Sequence, residues 1–121
     1  MRDRAKHILK HELHWPDYQV DVGIRAGFRC EYCGKDLLES YENYDQWQVD
    51  HIIPNGNNAL ENLELSCKLC NFLKRHTIPT VSAGNTDRES LINAAKAIIS
   101  ERRRVKEKIF LRTLEVIKSL R

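Results

Sequence analysis

Four cysteines constrain this chain more than any other feature. Cys30 and Cys33 form one C-x-x-C pair, Cys67 and Cys70 a second, and residues 34–66 lie between them. A disulfide within either pair would close a small, strained ring. Four thiolates around a tetrahedral zinc ion use the same sulfurs without that strain. The opening residues, Met1 to His7, lead into an amphipathic segment rather than an apolar one. No secretory leader is therefore visible, and a cytoplasmic, intracellular setting is expected, where thiols stay reduced. No run approaches the roughly 18 apolar residues of a membrane span, so no membrane partner is expected.

The chain has 121 residues, enough for one domain or a small domain with appendages. With 41% hydrophobic and 31% charged residues it suits a soluble, folded protein. The formal charge of +3 is a remainder of larger blocks. Residues 1–11 carry +3, residues 12–64 carry −8, residues 65–77 carry +3, and residues 88–121 carry +6. Basic segments thus flank an acidic middle.

Helical spacing of Ala5, Ile8, Leu9 and Leu13 predicts a helix over 2–14, ended by Trp15-Pro16. Asp17 starts a second helix that stops at Gly27. Trp47 to His51 alternates and predicts a strand, as does Asn62 to Leu65. Residues 54–58 (Pro-Asn-Gly-Asn-Asn) are dense in turn formers. Asn71 to His76 suits one or two helical turns, and Thr77 to Gly84 reads as a linker. Thr86 and Glu89 form a capping-box pattern. The apolar stripe after it (Leu91, Ala95, Ile98, Val105, Ile109) predicts a long helix toward Leu120. Trp15 and Trp47 read as core anchors, and His7, His11 and His14 as a solvated helix face.

Four strings recur in order between Phe28 and His76: C-E-Y-C-G at 30–34, V-D-H-I-I-P at 49–54, N-L at 62–63 and C-K-L-C-N-x-x-K at 67–74. Together they resemble the HNH nuclease family, in the subgroup whose ββα-metal core is braced by a four-cysteine zinc. The resemblance implies an α+β fold. Residues 28–77 would form the ββα-metal and zinc core, 1–27 an N-terminal helical segment, and 78–121 a linker and basic C-terminal helix. That helix would pack on the core, dimerise, or bind a protein partner.

The implied function is metal-dependent endonucleolytic hydrolysis of DNA, expected to be double-stranded. His51 would be the general base, suited by an ordinary histidine pKa near 6.5. Asp50 and Asn71 would offer oxygen ligands to a catalytic Mg²⁺ or Mn²⁺, and Asn62 would hold the loop that carries His51. Cys30, Cys33, Cys67 and Cys70 would bind the structural Zn²⁺. Many family members carry histidine where Asn71 stands and a second metal-binding histidine one turn later. Arg75 occupies that later position, so His76 is only a further candidate ligand. Lys68, Lys74 and Arg75 are candidate phosphate contacts. Strand alternation would send Asp50 and His51 to opposite faces unless the strand end is distorted. The competing reading is a zinc-containing nucleic-acid-binding module without hydrolysis.

Overall fold

The computed structural model describes residues 1–54, 56–75, 77, 79 and 87–121. Helices α1 (Arg2–His11) and α2 (Asp17–Arg25) lead into the first cysteine turn. A short helix α3 (Tyr41–Tyr44) precedes β1 (Trp47–His51). A long loop with a 3-10 turn at Leu60–Asn62 then connects to β2 (Leu63–Cys67). Helix α4 (Lys68–Lys74) follows directly, and α5 (Arg88–Lys118) closes the described chain. The fold is thus a small α+β arrangement built on one antiparallel strand pair. Among the described residues, no helix is long and apolar enough to cross a membrane.

Strands β1 and β2 pair with Trp47 opposite Cys67 and His51 opposite Leu63. The alternating residues of β1 matched their strand. Strand β2 runs two residues past the alternating segment, because its backbone keeps pairing with Gln48 and Trp47 up to Cys67. Cys67 then caps α4 with its sulfur, which accepts from Cys70 N–H at 3.4 Å. Asn71 therefore sits inside the helix rather than at its start. Helix α1 buries none of its residues and stops at His11, earlier than the spacing predicted. His14 beyond it has φ 61°.

Val22, Leu37, Ile52, Leu65 and Leu73 form the centre of the core, covered by Leu91, Ile92, Ala95 and Ile99 from α5. Each buried aliphatic side chain contributes about 1.5–3 kcal/mol. Gly23 of α2 is required by close packing, since a Cβ there would lie 2.9 Å from the Trp47 ring. Trp15 meets Trp47 edge-on, with ring centroids 5.2 Å apart, and of the two expected core anchors Trp47 packs, half-buried, against the core.

Glu31, inside the first cysteine turn, ties several elements together. Its Oε1 accepts from Leu65 N–H at 3.0 Å and pairs with Arg25, while its Oε2 pairs with Arg88 at 2.7 Å. Asp87 caps α5 by accepting from Ser90 N–H. The cap lies one residue after Thr86, which falls outside the described residues, as do 78 and 80–84 of the expected linker. Arg102 from α5 donates to the carbonyls of Leu73 and Lys74, filling acceptors that the end of α4 leaves open. Beyond Arg102 the helix leaves the core, and Val105, Ile109, Phe110, Leu111, Val116, Ile117 and Leu120 are exposed. This is the stretch on which the expected dimer or partner contact would rest.

Glu64 is fully buried, and neither carboxylate oxygen finds a hydrogen-bond partner among the described residues. Burial first, and the neighbouring Glu31 second, push its carboxyl up to about 9, against Arg88 and Lys74. The unfolded chain releases this proton near 4.5 and the folded chain only near 9. Its contribution to stability is therefore fully present below 4.5 and is lost as pH rises toward 9. Glu64→Gln removes that dependence. Thermal unfolding of both proteins at pH 5 and pH 9 should show the variant gaining about 5 °C or more on the wild type at the higher pH. A gap that does not change with pH would contradict a buried, protonated Glu64.

Candidate metal and catalytic centre

The two cysteine turns converge on one point. All four sulfurs lie within 4.8 Å of one another, and Cys30, Cys67 and Cys70 are buried. Backbone amides support both turns, with Cys33 N–H donating to Cys30 Sγ at 3.4 Å as Cys70 N–H does to Cys67 Sγ. Gly34, at φ 80°, allows the first turn to close, so that its N–H donates to Cys30 O at 2.8 Å. Cys33 and Cys67 sulfurs are 3.8 Å apart. A tetrahedron with metal–sulfur bonds of about 2.3 Å has edges of roughly 3.8 Å, so the donor set fits a tetrathiolate metal ion. The Cys30 thiol is pushed down, chiefly by Cys33, whereas Cys67 and Cys70 are pushed up, chiefly by Cys30. Four thiols sharing so small a volume cannot all ionise without a cation between them.

Between β1 and the α4 segment lies an open cavity of about 710 Å³. Its walls include Asp50 and His51 from β1 together with Asn71 from α4. Lys68, Phe72 and Arg75 of the α4 segment complete its basic side. His51 is the last residue of β1, and at that strand end it shares the cavity with Asp50 despite the alternation before it.

Each polar group is held differently. His51 Nε2 lies 2.7 Å from Asn58 Oδ1. An amide oxygen only accepts, so this contact calls for a proton on Nε2; in the neutral ring Nδ1 would then hold the lone pair. Asp50 Oδ2 accepts from Tyr32 Oη at 2.8 Å and pairs with Lys74 Nζ at 3.1 Å. Burial pushes the Asp50 carboxyl above its ordinary value, while the charge of Lys74 pulls it back. Asn71 Nδ2 donates to Gln48 Oε1, which fixes the amide and leaves its Oδ1 as the spare donor atom.

Asn62 does not line this cavity; it lines a separate one of about 260 Å³ and pins the loop between the strands. Its Oδ1 accepts from Ile53 N–H at 3.0 Å, and its Nδ2 donates to Asn57 O at 2.9 Å. Gly56 leaves room for this, since a Cβ there would come within 2.7 Å of Asn62 Nδ2.

One expectation requires correction. Lys74, read as a phosphate contact, is fully buried, and its ammonium is spent on Asp50 and on His51 O at 2.9 Å. Lys68 reaches the cavity but also pairs with Asp45 at 3.3 Å. Arg75 reaches the cavity with its guanidinium 4.7 Å from the Phe72 ring centroid. Its backbone, at φ 53° and ψ −136°, occupies a region that costs a non-glycine residue about 1–3 kcal/mol. His76 lies outside the described residues. Sequence reading passed over Asn58, hidden among turn formers, and Tyr32, Gln48 and Phe72, which lack any local signature.

Residues 30–77 match the family model described as HNH endonuclease. The matched segment contains both cysteine turns, the strand pair and α4, and a nucleic-acid-related role follows for it. No curated protein matches the chain.

The sulfur cluster carries a direct test. Elemental analysis of the purified protein should find about one metal ion per chain bound through thiolates. Cys70→Ser should lose that ion together with the cooperative unfolding transition. A Cys70→Ser protein that retains the wild-type unfolding midpoint would contradict a metal-braced core.

Proposed function

We propose that this protein is a metal-dependent HNH endonuclease that hydrolyses phosphodiester bonds of duplex DNA, in an intracellular setting. The observation that carries the reading is the hydrogen bond from His51 Nε2–H to Asn58 Oδ1 on the wall of a cavity shared with Asp50 and Asn71. In the neutral ring this contact would leave Nδ1 to accept a proton, a task suited to histidine near neutral pH.

In this reading His51 Nδ1 takes a proton from the attacking water as its oxygen bonds to phosphorus. The opposite P–O ester bond breaks and its leaving oxygen takes a proton from solvent, leaving one strand end with a phosphate and the other with a hydroxyl. The imidazolium formed is held in place by Asn58. Asn62 fixes the loop on which Asn58 sits, and Lys74 fixes the strand end by binding His51 O. The Asp50 carboxylate and the Asn71 amide oxygen would hold Mg²⁺ or Mn²⁺, since hard oxygen donors suit these ions. Such an ion supplies charge neutralisation on the phosphate and the leaving oxygen. Cys30, Cys33, Cys67 and Cys70 would hold Zn²⁺, whose task is to brace the fold.

The Lys74–Asp50 ion pair favours the second reading, a zinc-containing module that binds nucleic acid without hydrolysis, because it already neutralises the candidate ligand. Supercoiled plasmid separates the two. The wild type should nick it only with Mg²⁺ or Mn²⁺ present. His51→Ala should slow nicking by about 10²–10⁴-fold, and Asn58→Ala by roughly tenfold or more. Salt-sensitive DNA binding by a wild type that never nicks would establish the non-hydrolytic reading instead.

A further inference from the structure

We propose that Arg75, Phe72 and Lys106 form a phosphate clamp that holds the DNA backbone beside the catalytic cavity and extends the nucleic-acid interface onto α5. The ligand follows from the nuclease reading; the geometry stands on its own. Arg75 CZ lies 4.7 Å, and Lys106 Nζ 5.3 Å, from the centroid of the same Phe72 ring. Phe72 is 52% exposed and lines the catalytic cavity. One helix presents the ring and Arg75 follows at its end, while the second cation reaches across from α5.

Most neighbouring basic groups are already committed. Arg103 pairs with Glu107 and Arg104 with Glu101, both at 2.7 Å, and Lys68 pairs with Asp45. Arg102 is spent on the carbonyls of α4. Arg75 and Lys106 form no ion pair among the described residues, and their contact is with an aromatic face. A ring orients a cation without cancelling its charge, whereas a carboxylate cancels it. These two groups therefore keep full charge in a fixed place, as an anion-binding pair requires.

Their position adds direction. A second cavity of about 500 Å³ lies between α4 and α5, with Arg75, Lys106 and Thr77 on its walls. Arg75 also lines the catalytic cavity, so it borders both. Glu101 lines the second cavity too, with its carboxylate held by Arg104. A strand whose scissile phosphate sits near His51 would pass the clamp with a neighbouring phosphate and continue along α5. The charge of residues 88–121, net +6, complements that path.

Fluorescence anisotropy of a short DNA duplex over a salt series, without added divalent cation, tests the clamp. Lys106→Gln should weaken binding about tenfold and reduce the slope of log K against log salt by about one. Lys108→Gln makes the same charge change about 200° around the helix and should leave the slope nearly unaltered. Phe72→Leu keeps the bulk but not the ring and should weaken binding while retaining both charges. Unchanged binding by Lys106→Gln, or equal losses from both lysine variants, would overturn the clamp. Displacement of the duplex by poly-glutamate as readily as by competitor DNA of equal charge would assign the surface to an acidic protein and also overturn it. If the wild type nicks plasmid while Lys106→Gln binds normally, the clamp alone falls. If the wild type never nicks while Lys106→Gln shows the reduced slope, the nuclease reading alone falls.

Discussion

Four sulfurs confined within 4.8 Å are the constraint on which the rest depends. Cys67 ends β2 and caps α4, and Cys70 stands one turn into that helix. Gathering them with Cys30 and Cys33 sets the angle at which α4 folds back along β1. Asn71 then meets Gln48, and Lys74 meets both Asp50 and His51 O. The cysteine turns thus reach the cavity directly: Tyr32 of the first turn donates to Asp50, and Lys68, which follows Cys67, lies on the cavity wall. Glu31 extends the same frame outward through Arg25 and Arg88.

The cavity places opposing demands on charge. In the proposed mechanism Asp50 would serve as an oxygen donor, yet burial penalises its anion and Lys74 compensates for it. The pair as a whole carries no net charge, so attraction for a cation would come largely from the phosphate brought by DNA. Across the basic residues, location decides use. Lys74 and Arg102 brace α4 from inside, Arg103 and Arg104 are paired on the surface, and Arg75 and Lys106 rest on Phe72.

Much of this was legible in the residues. The cysteine spacing announced four sulfurs converging where a metal ion could be held, and the alternation from Trp47 to His51 marked its strand to the residue. Asp50, His51 and Asn71 do share one cavity, and Asn62 does pin the loop. The rest was not legible because it depends on tertiary contact. A lysine is rarely fully buried, so nothing local marked Lys74 as the partner of Asp50. Asn58 sits among residues that all favour turns, and only the fold brings its amide to His51. In the run Arg102-Arg103-Arg104 the pattern could not show that the first faces inward and the others pair along the helix.

The claim at the centre is that one small fold holds two metals with separate tasks, one for structure and one for phosphodiester hydrolysis. Anomalous diffraction from crystals of the His51→Ala protein with a DNA duplex and Mn²⁺ tests it most directly. The expected maps place zinc among Cys30, Cys33, Cys67 and Cys70, and manganese between Asp50, Asn71 and a backbone phosphate. Manganese absent from Asp50 and Asn71 while the duplex occupies the cavity would contradict it.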